Sequence, residues 1–176
     1  MEKIFYANKS DFESSESAVK KIFRDYFGIT SPNVLRTANG KPYLENEMDL
    51  GVYFSVSHTK EMLFIAVSNQ PVGIDAENIN REVAYAAILN KFPDEERKEI
   101  LSTRDFLLHW VAKESSVKWL GRTLAHDLKK ITYIHGKLAC ENREIPALMT
   151  VKEFQEHLVC VCCALDFSNA EWIALP

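Results

Sequence analysis

A chain of 176 residues with 47% hydrophobic side chains is long enough for one compact domain or two small lobes, and apolar enough to bury a proper core. Its net charge of −4, from 21 Lys and Arg against 25 Asp and Glu, gives no general attraction to nucleic acid. No apolar run approaches the roughly 20 residues of a membrane span and the amino terminus lacks a signal-peptide core, so a soluble cytoplasmic protein with no membrane partner is expected.

The first strand is expected over 3–6. Val19, Ile22, Phe23, Tyr26 and Phe27 then mark an amphipathic helix that begins near Ser14 to Ser17 and stops at Gly28. Strands follow over 34–37, 51–56 and 62–68, the last two joined by a short polar turn as a hairpin. The run Pro71-Val72-Gly73-Ile74-Asp75-Ala76-Glu77 reads as another strand. Beyond it Val83, Ala84, Ala87 and Ile88 give a helical face, and Phe92-Pro93-Asp94-Glu95-Glu96 starts a short helix with acids near its positive end. Ser102 and Asp105 resemble a capping box for a longer helix whose stop is Gly121. Later strands are expected over 130–134, 137–140 and 157–165. Mixed short strands and helices indicate an α+β fold.

The four cysteines, Cys140, Cys160, Cys162 and Cys163, lack the spacing of a zinc site and read as packing residues, in keeping with a reducing compartment. His109, His126, His135 and His157 offer no ligand constellation. One local departure from the acidic balance stands out: Lys113, Lys118, Arg122, Lys129, Lys130 and Lys137 face only Glu114 and Asp127, which suggests a particular anionic partner.

Two segments carry chemistry. In a strand, residues two apart point the same way, so Asp75 and Glu77 project together, and two such carboxylates repel unless a cation lies between them. Hard oxygen donors suit Mg²⁺. In Trp110-Val111-Ala112-Lys113-Glu114-Ser115-Ser116-Val117-Lys118, Glu114 and Lys118 are four apart and share a helix face, with apolar flanks that put the charges at the edge of a core. Trp110 itself reads as core packing.

Together with Gly40-Lys41-Pro42 and Phe54-Ser55-Val56-Ser57-His58-Thr59, these segments resemble the Sfp-type 4′-phosphopantetheinyl transferases, whose blocks run G-K-P, F-x-x-S-H-[ST], G-[IV]-D-[IV]-E and W-x-x-K-E-[AS]-x-x-K. The likeness extends from about Gly40 to Leu124, with Ala76 in place of the usual branched residue. It implies two similar α+β lobes packed as an intramolecular pseudo-dimer, here 1–72 and 73–176, with the site between them, in a monomer. It also implies an enzyme that moves the phosphopantetheine arm of coenzyme A to a serine of an acidic acyl or peptidyl carrier protein. Asp75, Glu77 and Glu114 would hold Mg²⁺, Lys118 with Lys113 would meet the pyrophosphate, and Lys41, Ser57 and His58 would contact coenzyme A phosphates. Glu114, directly or through a water on the metal, is the expected base and Glu96 its rival. The same acids would also serve a metal-dependent phosphodiesterase or nucleotide hydrolase, and the fold alone a catalytically silent carrier-binding module. The stretch ahead of the first helix, with Lys9 among three acids, is shorter and less basic than in longer relatives.

Overall fold

The computed structural model describes residues 1–123 and 127–176, so Leu124 and His126 lie outside the described residues. The chain opens with β1 (Lys3–Asn8), a 3-10 turn at Lys9–Asp11 and α1 (Ser15–Phe27). Ser14 caps α1 by accepting from Ser17 N, and Gly28 ends it in the left-handed conformation (φ 68°), where a residue without Cβ carries no steric cost. There follow β2 (Val34–Arg36), β3 (Pro42–Leu44), α2 (Glu47–Leu50), β4 (Tyr53–His58), β5 (Met62–Ser68) and β6 (Val72–Asn78). Next come α3 (Ala86–Leu89), α4 (Asp94–Arg97), α5 (Thr103–Trp119), β7 (Ile131–Ile134), β8 (Lys137–Cys140), β9 (Arg143–Glu144), β10 (Leu148–Phe154), β11 (His157–Cys163) and β12 (Glu171–Ala174). The mixture of elements is the α+β class that the sequence indicates.

The helical face at Val83 to Ile88 yields a single turn, α3, with Tyr85, Ile88 and Leu89 packed against the cluster that includes Phe92, Phe106 and Leu107, and Tyr85 stacking on Phe106 of α5 at 5.0 Å. Local periodicity loses there to tertiary packing.

Two sheets matter for the site. One has the order β12-β1-β5-β4 and packs its apolar face on α1 through Phe5, Phe23, Phe54 and Ile65. Its edge strand β12 comes from the carboxyl end and runs parallel to β1, with Glu171 opposite Lys3. The other sheet, β10-β11-β6, pairs Asp75 with Cys160 and Glu77 with Leu158. The seam between these sheets is made by side chains. Ser55 and Ser57, two apart on β4, accept the β6 amides of Ile74 and Ala76, both at 3.1 Å. Serine oxygens thus take the place of strand carbonyls, satisfying buried donors that would otherwise be costly.

Helix α5 lies across β6 and β11 and is buried on most of its circumference. Gly73 permits the close crossing: a Cβ there would overlap the Ser115 carbonyl oxygen and the Trp119 amide nitrogen. Ser102 accepts from Asp105 N at 3.1 Å, and the Asp105 carboxylate accepts from Leu101 N at 3.1 Å. Gly121 (φ 65°) closes the far end, where Arg122 N donates to Val117 O at 3.0 Å.

No helix among the described residues is long and apolar enough to cross a membrane. Cys160, Cys162 and Cys163 are buried on β11 as packing groups, and burial pushes the Cys160 thiol up and the Cys162 thiol up to about 12, so those two have little thiolate character.

Candidate active site

Strand β6 and helix α5 supply the charged centre. Asp75 is 4% exposed, and its Oδ1 accepts from Ser57 Oγ at 2.8 Å and from Lys118 Nζ at 2.7 Å. Lys118 Nζ also donates to Ile74 O at 2.9 Å and stands 4.0 Å from Glu114 Oε2, so one ammonium serves both acids. Glu77 leans away toward Arg81, whose Nη1 donates to Oε2 at 2.5 Å. Ala76, between the two acids, points oppositely into the core with Val159 and Val161.

Among the described residues no three His, Cys, Asp or Glu side chains stand together as a ready ligand set. The arrangement is nevertheless short of positive charge in two ways. Asp75 Oδ2 is buried with no hydrogen-bond partner among the described residues. Burial first, then the charges of Asp75 and Glu77, lift the Glu114 carboxyl to about 8, against the pull of Lys118. An orphaned carboxylate lone pair beside an acid that resists ionising is what a hard divalent cation would complete, so Asp75 and Glu114 fit Mg²⁺, whereas Glu77 would have to turn from Arg81 to join them.

Lys113 and Glu96 are brought together, but with each other. Both are 0% exposed, Lys113 Nζ donates to Glu96 Oε2 at 2.7 Å, and the ammonium lies 4.3 Å from the Phe92 ring centroid. Glu96 Oε1 is 3.1 Å from His109 Nδ1. Burial draws the Lys113 ammonium down while Glu96 holds it up. As placed, this pair closes the interior behind α5 and meets no solvent. Trp110 stacks on Phe106 at 5.7 Å, in keeping with a packing role.

His58 lies at the end of β4, on an open cleft of about 600 Å³ whose wall also carries Lys9, Lys60, Glu77 and Arg81. A smaller cavity shares Lys9 and His58 and reaches Ser14 and Ser15 at the start of α1. Behind the cleft, Thr59 Oγ1 and His157 Nε2 are 3.1 Å apart, and His157 Nδ1 donates to Gln155 O at 2.6 Å. Ser57 and Lys41, in contrast, are turned inward. Ser57 is spent on Asp75 and Ala76, and Lys41 Nζ donates to Lys118 O at 2.7 Å and Val72 O at 3.4 Å.

Lys60 and Arg81 escaped the sequence reading; the available signal was Arg81 standing four residues past Glu77. The basic region proves divided. Lys113 is interior, Lys118 is in the site, and Lys130 is near Asp127 (3.3 Å) and Glu141 (3.7 Å), whereas Lys129 and Lys137 are exposed.

A family model described as the 4′-phosphopantetheinyl transferase superfamily matches residues 71–162, from the acidic strand through α5 to β11. The chain belongs to that superfamily, a family of enzymes. It is 26% identical over 175 residues to the 4′-phosphopantetheinyl transferase gsp of Aneurinibacillus migulanus, covering 91% of this chain and 72% of that protein. It is 29% identical over 98 residues to the 4′-phosphopantetheinyl transferase of Bacillus subtilis, covering 49% and 40%, and 25% identical over 125 residues to the 4′-phosphopantetheinyl transferase psf-1 of Bacillus pumilus, covering 66% and 52%. The chain thus spans about half or less of the length of the last two.

Proposed function

We propose that this protein transfers the 4′-phosphopantetheine arm of coenzyme A to a serine hydroxyl of an acyl or peptidyl carrier protein, releasing adenosine 3′,5′-bisphosphate. The observation that carries the reading is the under-neutralised group of Asp75, Glu114 and Lys118 on β6 and α5, with Glu77 on the same strand lining the cleft beside His58, where Lys9, Lys60 and Arg81 outnumber Glu61 and Glu77. Division into lobes near Gln70 to Gly73 accords with the serine-bridged seam between β4 and β6, although β12 returns to the first sheet.

Asp75, Glu77 and Glu114 would hold Mg²⁺, which when bound supplies charge neutralisation and orientation to the pyrophosphate. Lys118 acts as a compact point charge whose value rises as negative charge gathers on the departing phosphate. Glu114 is the base assigned to the carrier serine because it is the acid on the α5 face beside Lys118, at 4.0 Å, although a carboxylate engaged by a metal is a poorer base than a free one. Glu96, enclosed with Lys113 and His109, is the weaker candidate and serves instead to seat Lys113 against the back of α5. Ser57 fixes Asp75 rather than a phosphate. The 3′-phosphate is assigned to His58 and Lys9, which share both cavities. Lys129 and Lys137 offer exposed charge to an acidic carrier.

The test is transfer of a fluorescently labelled arm from coenzyme A to an apo-peptidyl carrier protein with Mg²⁺ present, read as labelled carrier on a gel. Cleavage of the donor without labelling would favour a phosphodiesterase. Carrier binding with no turnover would favour a silent module.

A further inference from the structure

We infer that Lys41 is a positioning residue that locks the Lys118 end of α5 to the start of β6, and is not a ligand for a coenzyme A phosphate. This rests on the transferase reading of the site. The turn that carries Lys41 is itself fixed. Thr37 N donates to Lys41 O at 2.9 Å, Lys41 N to Thr37 Oγ1 at 3.1 Å and Gly40 N to Thr37 O at 2.8 Å, with Gly40 at φ 80° and Pro42 opening β3. From this base the side chain runs inward to two main-chain carbonyls, Lys118 O at 2.7 Å and Val72 O at 3.4 Å. Lys41 is absent from the described residues that line the His58 cleft.

The two carbonyls belong to the two elements whose side chains make the site. Lys118 O lies in the last turn of α5, where its one backbone bond from Gly121 N is long at 3.3 Å and the helix dipole favours a cation. Val72 is three residues ahead of Asp75 on β6. One ammonium therefore ties together, through their backbones, the pair Asp75 and Lys118 that meet through their side chains at 2.7 Å. Two residues earlier, Asn39 Nδ2 donates to Gly121 O at 2.9 Å, a second clasp from the same turn onto the same helix end. Burial lowers the ammonium's proton affinity and Glu47 partly restores it, as expected for a cation committed to the interior.

Lys41→Met, Lys41→Arg and Asn39→Ala would be compared with the wild type, each shown to be folded by circular dichroism. The donors are coenzyme A and 3′-dephospho-coenzyme A, with the same apo-carrier. Amide hydrogen exchange over 117–122 is followed in parallel. Lys41→Met is expected to lower kcat about tenfold or more with both donors, since small misplacements of charged groups are costly. KM for coenzyme A should stay within about twofold, the ratio of kcat/KM between donors should hold, and the end of α5 should exchange faster. Lys41→Arg should restore most of kcat, because a guanidinium can reach both carbonyls. Asn39→Ala should speed exchange at the same turn without altering donor preference, and keeps the proposal testable if Lys41→Met does not fold. A donor ratio that collapses toward one in Lys41→Met, with kcat and exchange unchanged, would overturn the inference. A wild type that labels no carrier would refute the transferase reading while leaving the exchange result to judge Lys41.

Discussion

Ser57→Ala separates a framework serine from a ligand-binding one. Ser57 is 5% exposed, and its Oγ accepts from Ala76 N at 3.1 Å while donating to Asp75 Oδ1 at 2.8 Å. The substitution strands a buried amide, at about 1–3 kcal/mol, and removes a hydrogen bond to a carboxylate worth about 1.5–3 kcal/mol. The two terms share one oxygen and do not simply add, so a loss of about 3 kcal/mol is expected. Ser55→Ala is the control, because among the described residues Ser55 Oγ accepts from Ile74 N and bonds to neither acid, so about 1–2 kcal/mol is expected from that stranded amide. Urea unfolding at neutral pH gives the stabilities, and carrier labelling with varied coenzyme A gives kcat and KM. Ser57→Ala should lower kcat about tenfold with little change in KM for coenzyme A, as a slackened Asp75 weakens the charged centre, whereas Ser55→Ala should leave kcat near wild type. A Ser57→Ala protein within about 0.5 kcal/mol of wild-type stability, with a raised KM for coenzyme A and unchanged kcat, would refute this account and return Ser57 to the ligand.

Glu114 gives the molecule a pH dependence of stability. With its carboxyl near 8 when folded and near 4.5 otherwise, the folded chain keeps a proton that the unfolded chain has lost between those values. That stabilisation is full below about 4.5 and drains away as pH rises through 8, so urea midpoints in chelator should fall from pH 5.5 to 8.5. Glu114→Gln should flatten the trend; a slope that persists in that variant assigns it to another group. Lys118→Ala should cut kcat by about 10²-fold or more, and Lys118→Arg should recover little, since a planar fork replaces a point charge poorly. Unchanged turnover in Lys118→Ala would place the lysine outside the reaction. His58→Ala and Lys9→Ala should each narrow the preference for coenzyme A over its 3′-dephospho form by about tenfold, the value of one charge-assisted hydrogen bond. A preference that survives the double substitution would move the 3′-phosphate to Lys60 or Arg81.

What the sequence discloses follows the range over which each feature is determined. The caps of α1 and α5 are spelled within a few residues by Ser14, Gly28, Ser102 and Gly121, and the hairpin of β7 and β8 turns at His135-Gly136, both at positive φ. Strand β12 was not legible, because four residues acquire their meaning only by lying parallel to β1 at the other end of the chain. Strand β10 was missed because several of its side chains face solvent and the turn that pairs it with β11 is Gln155-Glu156, both at positive φ without a glycine to advertise it.

The same distinction governs the site. That Asp75 and Glu77 share a face is dictated by the two-residue repeat of a strand, and that Glu114 and Lys118 are neighbours by the helical turn. Which way a long side chain runs is not dictated by any repeat. Lys41, Ser57 and Lys113 each sit in a block that suggests contact with phosphate, yet each finds its acceptor inside: carbonyls of α5 and β6, the Asp75 carboxylate, and Glu96. A lysine with no exposed surface must be paired, so the burial of Lys113 depends on Glu96, seventeen residues earlier, being folded under the same helix. In the structure these three side chains are spent on the framework of the site. Asp75 Oδ2 and Glu114 are left short of a partner and His58 and Lys9 face the cleft, and in the proposed reaction these are the groups that a metal and a phosphorylated donor would engage.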